Sequence, residues 1–108
     1  MPVDLGELLR RTQQLQGDVR RKQEELSRRE VVGQAGAGLV TATASGRGDL
    51  LRIAIDPTVD RSDRKLVEDL IVAAVNTALA RARELQQQEM ASLVHGLPLG
   101  DLLGGGGQ

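Results

Sequence analysis

The sequence contains no cysteine and no aromatic residue. Without cysteine there is no disulfide, no thiol nucleophile and no thiolate metal site, and such a composition suits a reducing cytosol. Without Phe, Tyr or Trp, readers of nucleic acid that stack bases on rings are excluded, and the core must be built from Leu, Ile, Val and Ala. No apolar run is long enough to span a membrane, and the opening "MPVDLGELLRR" lacks the basic-then-apolar order of a secretory signal. These absences are compatible with a cytoplasmic setting. Charge of neither sign is in excess, with 14 basic and 15 acidic residues giving a net −1. An anionic partner would need a local basic face rather than bulk charge. A length of 108 residues suits one small domain.

What is present is strongly periodic. Residues 4–28 read as one helix, with Leu5, Leu8, Thr12, Leu15, Val19, Lys22 and Leu26 spaced alternately three and four apart. That is a heptad seam, narrower than the apolar face of an ordinary core helix. Asp4 suits the N-cap, and Glu7/Arg11, Asp18/Lys22, Glu24/Arg28 and Glu25/Arg29 are spaced as i,i+4 ion pairs. Three short strands follow, at 30–34, 39–45 and 50–56, the last with Leu51, Ile53 and Ile55 on one face and Arg52 on the other. Short turns join them into an antiparallel meander, and Pro57 ends it. A second helix is expected from Asp60 or Ser62 to about Val94, with Val67, Leu70, Ile71, Ala74, Ala78, Ala82 and Leu85 as its stripe. Its alanines permit close approach of another backbone. The fold class is α+β, helix–meander–helix over residues 1–95, followed by a flexible Gly-rich tail at 96–108.

The stretch "VVGQAGAGLV" at 31–40 raises the question of phosphate binding. Its order, Gly33-x-x-Gly36-x-Gly38, is not the dinucleotide fingerprint, it opens a strand rather than a helix, and it lacks a P-loop's Gly-Lys-Ser/Thr ending. A turn that needs positive φ is the better reading. His95, the single histidine, falls where the second helix ends and suits a dipole-stabilised cation better than a catalytic base. Asp56/Asp60 and Glu68/Asp69 read as a strand-end turn and a solvated helix face rather than a cation site. Ser45, Ser62 and Ser92 have no partner base. No enzyme, cofactor, metal or small-molecule substrate is expected.

At 1.5 Å per residue the two helices would run to roughly 37 and 50 Å, against about 24 Å for seven-residue strands. The helices must therefore overhang the sheet. A seam on the overhang needs a cover, either the second helix or another copy of the chain, and a homodimer with long projecting helices, joined by helix contacts, sheet-edge pairing or both, is expected. On the first helix, the face opposite the seam carries Arg10, Gln13, Gln14, Arg20, Arg21, Glu24 and Arg28. Four arginines against one glutamate suit a polyanion, since guanidinium forks grip phosphate oxygens. Charge alone also permits a simple solvated face. Arg81 and Arg83 on the second helix are further candidates. The alternative function is a protein–protein adaptor for a replication or repair partner, its arginines meeting an acidic surface.

Specific words then stand in a specific order: "QQLQGDVRRKQEEL" at 13–26, "VVGQAGAGLV" at 31–40, "IAIDP" at 53–57, "LVEDLIVAAVNTALARA" at 66–82 and "EMASLVHGLPLG" at 89–100. Together they resemble the YbaB/EbfC family of bacterial nucleoid-associated proteins, over about residues 5–100. The resemblance implies a tight homodimer whose long helices project like tweezers. It also implies nucleoid localisation, and binding of double-stranded DNA with little sequence preference that affects nucleoid organisation, gene expression or DNA repair. Family DNA contacts attributed to the projecting helices would fall on Gln13, Gln14, Arg20 and Arg21 here.

Overall fold

The structure, a computed structural model, describes residues 4–95; the expected tail at 96–108 lies outside them. The elements follow the order α1 (Leu5–Arg28), β1 (Glu30–Ala35), β2 (Val40–Ser45), β3 (Leu50–Ile55) and α2 (Arg64–His95). Asp4 caps α1 by accepting from the Gly6 and Glu7 amides at 3.0 and 3.4 Å. Arg29 alone separates α1 from β1: it is extended, and its amide reaches back to the Leu26 carbonyl. The β-branched pair Val31–Val32 then favours the strand.

The sheet is the expected antiparallel meander, in order β1-β2-β3. Its register pairs Gly33 with Ala42 and Ala42 with Ile53. The glycine-rich stretch is a turn: Gly36, Ala37 and Gly38 hold φ of +63°, +55° and +95° in succession. The chain reverses there between Ala35 and Val40, and no helix follows. A bulge interrupts β2–β3 pairing, because Thr43 faces Arg52 while Ala44 faces Leu50. Leu51 is thus the extra residue, and both Leu50 and Leu51 are left exposed.

The second helix starts later than expected. Asp60 and Asp56 each fold back on a following residue, accepting from the Ser62 and Thr58 amides and hydroxyls. These Asx turns delay the helix until Asp63, whose carboxylate caps it through the Leu66 amide. The same bonds hold the Asp56 and Asp60 carboxyls below their ordinary range.

Helix α2 crosses one face of the sheet, mainly over β1 and β2. Val31, Gly33 and Ala35 of β1 and Val40, Ala42 and Ala44 of β2 face it. Ala74, Ala78 and Ala82 of α2 are fully buried. At Gly33 the approach is so close that an added Cβ would lie 2.3 Å from the Ala78 nitrogen and 2.4 Å from the Ala74 oxygen. These are backbone atoms and cannot swing aside. The core is consequently thin. Of the buried apolar side chains among the described residues, only Leu26, Val40 and Val59 are larger than alanine. The molecule measures 71 × 29 × 16 Å.

Two glycine substitutions separate packing from backbone strain. Gly33→Ala should force α2 off β1 and cost about 3 kcal/mol, the upper end for overpacking. Gly38→Ala meets no atom within 4 Å and carries only its φ of +95°, so about 1 kcal/mol is expected. Urea denaturation of both variants checks the order.

Candidate nucleic-acid interface

Helix α2 runs antiparallel first to β1 and then to α1. Successive contacts show this. An added Cβ at Gly36 would meet Leu70, and one at Gly33 would meet Ala74 and Ala78. Gly46, at the β2–β3 turn, lies against both Leu26 and Leu85, and Lys22 meets Glu89. Carrying the antiparallel spacing six residues further sets His95 level with about Gln16. The first three turns of α1 therefore extend beyond the last described turn of α2. The seam records this gradient: Leu26 is buried, Leu15 and Val19 are half-buried, Leu8 is 45% exposed and Leu5 is 70% exposed.

The opposite face of α1 is open along its length. Arg10, Gln13, Gln14, Arg20, Arg21, Glu24 and Arg28 are all exposed. Among the described residues, Arg10, Arg20 and Arg28 have no carboxylate within 4.0 Å, whereas Arg21 pairs with Asp18. Arg10 to Arg28 spans eighteen residues, or about 27 Å of helix axis, comparable to roughly eight base steps of duplex at 3.4 Å each.

Several pairings differ from the expected ones. Glu7–Arg11 forms at 3.0 Å, but Asp18 pairs with Arg21 rather than Lys22. Lys22 and Arg29 reach across to α2, where both meet Glu89, at 3.4 and 2.9 Å. An interhelical carboxylate displaces the local i,i+4 partners because it lies between both cations. On α2, Arg83 is exposed, while Arg81 donates its guanidinium to the Val32 carbonyl on the outer edge of β1. That contact holds Arg81 against the sheet. Arg47, in the β2–β3 turn, is exposed and has no ion pair among the described residues. In the sequence its only mark is an arginine between two glycines, Gly46 and Gly48, at a hairpin tip.

Comparison with known proteins bears on this architecture. Residues 1–97 match the model of the YbaB/EbfC DNA-binding family. A nucleoid-associated protein of Streptomyces avermitilis is 47% identical over 105 residues, covering 96% of this chain and 88% of the relative. The chain belongs to the YbaB/EbfC family. The crystal structure of the uncharacterized protein HP0035 from Helicobacter pylori shares the fold. Its TM-score is 0.78 at 16% identity, covering 86% of this chain and 99% of the other.

In this YbaB/EbfC protein the Glu89 clasp fixes how α1 leaves the body. Glu89 is half-buried, and its bond to Lys22, with the charge of Glu25 added, raises the lysine above its ordinary value of 10.5. A raised lysine contributes stability that is complete below the unfolded value and lost as pH climbs through the folded one. The Glu89→Gln variant should therefore melt below the parent at neutral pH, and the gap should narrow once pH exceeds 10.5. Melting temperatures of both proteins from neutral pH to strong alkali measure it. A gap constant across that range would show that Lys22 takes no part.

Proposed function

We propose that the protein is a nucleoid-associated protein that binds double-stranded DNA as a homodimer, largely through phosphate contacts with low sequence preference. Family membership supports DNA binding. The observation that carries the phosphate reading is the open face of α1, where Arg10, Arg20 and Arg28 are exposed without ion-pair partners among the described residues. Arg21, Gln13 and Gln14 lie on the same face, and Arg83 offers a further contact from α2. A face of arginine and glutamine, in a chain with no aromatic ring to stack on bases, favours contacts to backbone phosphate, and binding would serve nucleoid organisation, gene expression or DNA repair. Such a protein works in the cytoplasm, on the nucleoid. No helix among the described residues is long and apolar enough to cross a membrane.

The thin core supports the homodimer reading. A small domain whose buried set is mostly alanine gains little from burial, because each alanine removes little apolar area from water. Yet α2 leaves β3 thinly covered. Beside it, Ile53 and Ile55 of β3 and Ile71, Val75 and Leu79 of α2 are only half-buried, and Val72 is 58% exposed. A second copy of this chain covers that wedge in the proposed assembly. The outer edge of β1 is the less suitable surface, since Arg81 already occupies the Val32 carbonyl.

Two measurements test these readings. In anisotropy titrations with random-sequence duplex, affinity should fall with salt at about −0.9 per phosphate neutralised. Replacing Arg10, Arg20 and Arg21 by alanine should weaken binding to every sequence alike and flatten the slope by roughly 2–3. Unchanged affinity would remove those residues from the interface, and no binding by the parent protein at low or moderate salt would favour an adaptor of a protein partner. Light scattering should give twice the 11.6 kDa protomer mass, and Val72→Glu should shift it toward the monomer. A stable parent monomer at micromolar concentration would overturn the dimer.

A further inference from the structure

The geometry points to a phosphate path that does not end with α1: it turns at Arg28 onto the β2–β3 hairpin tip and is completed by Arg47, while the neighbouring Arg29 is withheld from it by Glu89. This rests on the DNA-binding reading above and names an additional contact for it.

Three observations carry the inference. First, the hairpin tip is fastened to the end of α1. The Gly46 amide donates to the Arg29 carbonyl at 2.9 Å. Gly46 is buried so tightly that a Cβ there would stand 2.7 Å from the Leu26 carbonyl oxygen and 3.1 to 3.2 Å from the Leu26 and Leu85 side chains. Second, the tip itself is a fixed turn. Ser45 and Asp49 bond backbone to backbone at 2.8 Å, the Asp49 amide also donates to the Ser45 hydroxyl, and Gly48 takes φ +96°. Arg47 therefore springs from a rigid mount beside the last turn of α1, where Arg28 lies. Third, the nearby cations are not equivalent. Arg29 is bound to Glu89 at 2.9 Å. Arg28 and Arg47 are exposed, and among the described residues neither has a carboxylate within 4.0 Å, Asp49 in the same turn included.

The energetics favour this division. A phosphate approaching Arg29 must compete with a half-buried carboxylate already shared by two cations, and breaking that bridge loosens α2 from α1. Approaching Arg28 and Arg47 displaces only water and counterions, which is the favourable exchange in polyanion binding. The basic strip thus gains a contact on the body of the molecule, off the axis of the helix. A duplex lying along α1 is thereby held at a second element, which limits its roll about the helix axis.

The test compares two arginine removals on the full chain, using anisotropy with a random-sequence duplex over a salt series. Arg47→Ala should lower affinity about three- to tenfold and flatten the log–log salt slope by about 0.9, with Arg47→Lys recovering the slope. Arg29→Ala should leave the slope where it is in the parent. Circular dichroism on each variant confirms that the helices persist, and the slope is read only from folded protein. A slope unchanged in Arg47→Ala, or flattened as much in Arg29→Ala, overturns the path. If the parent protein binds no duplex, the DNA reading itself fails. If the α1 arginine variants lose binding and Arg47→Ala does not, only this inference fails.

Discussion

The closeness of α2 to β1 at Gly33 determines most of what else the chain can do. Packed layers of secondary structure lie about 8–10 Å apart when ordinary side chains separate them. Here glycine on the strand and alanine on the helix bring backbone against backbone, as the 2.3 Å separation of a hypothetical Cβ from the Ala78 nitrogen shows. That seating aligns α2 with β1, and because Arg29 is the only residue between α1 and β1, it also sets α2 alongside the end of α1. Leu85 and Leu26 then converge on Gly46, and Glu89 reaches Lys22 and Arg29. The long, narrow form of the molecule is the geometric consequence of one strand and one helix being read end to end by a second helix.

The same closeness has a cost. Alanine against glycine buries little apolar area, so the protomer cannot draw much stability from its interior. Larger apolar side chains exist, but they lie to one side, on β3 and on the adjoining flank of α2, where this chain does not finish covering them. The small central residues and the unfinished wedge are two parts of one arrangement: what makes the contact tight leaves the larger side chains for another surface. A second copy supplies that surface in the proposed dimer.

Much of the fold was legible in the sequence because it rests on local rules. The heptad spacing marked α1, alternation marked the strands, and the three alanines four apart, Ala74, Ala78 and Ala82, marked the buried stripe of α2. The "GQAGAG" stretch was readable as a turn because it led into a strand rather than a helix, and the successive positive φ values agree. The start of α2 was misplaced because Asp60, Ser62 and Asp63 are all competent caps, and only the paired Asx turns decide among them. Of the basic face, exposure followed directly from helical projection. What could not be read were partners from distant elements. Nothing local indicates that Glu89 would take Lys22 and Arg29 from their i,i+4 acids, that Arg81 would bind the Val32 carbonyl, or that a one-residue bulge would displace Leu51 from the face of Ile53.

Those distant partners also resolve how a chain of net charge −1 can present itself to a polyanion. Net charge counts every group equally, whereas a phosphate responds to the charges within about 8 Å at physiological salt. In this molecule most of the acids are engaged internally. Glu7, Asp18, Glu25, Glu30, Asp69 and Glu89 are ion-paired. Asp4 and Asp63 cap helices, and Asp56 and Asp60 close turns. The last three also cluster before the start of α2, and Arg64 to Glu89 is 25 residues, or about 37 Å of helix, several screening lengths. Among the cations without an ion pair in the described residues, Arg10, Arg20 and Arg28 are strung along α1, with Glu24 the sole acid on their face. Pairing and distance, rather than an excess of basic residues, leave that face positive. A sequence with one more acid than base can thus carry a basic strip, provided the fold assigns its carboxylates elsewhere.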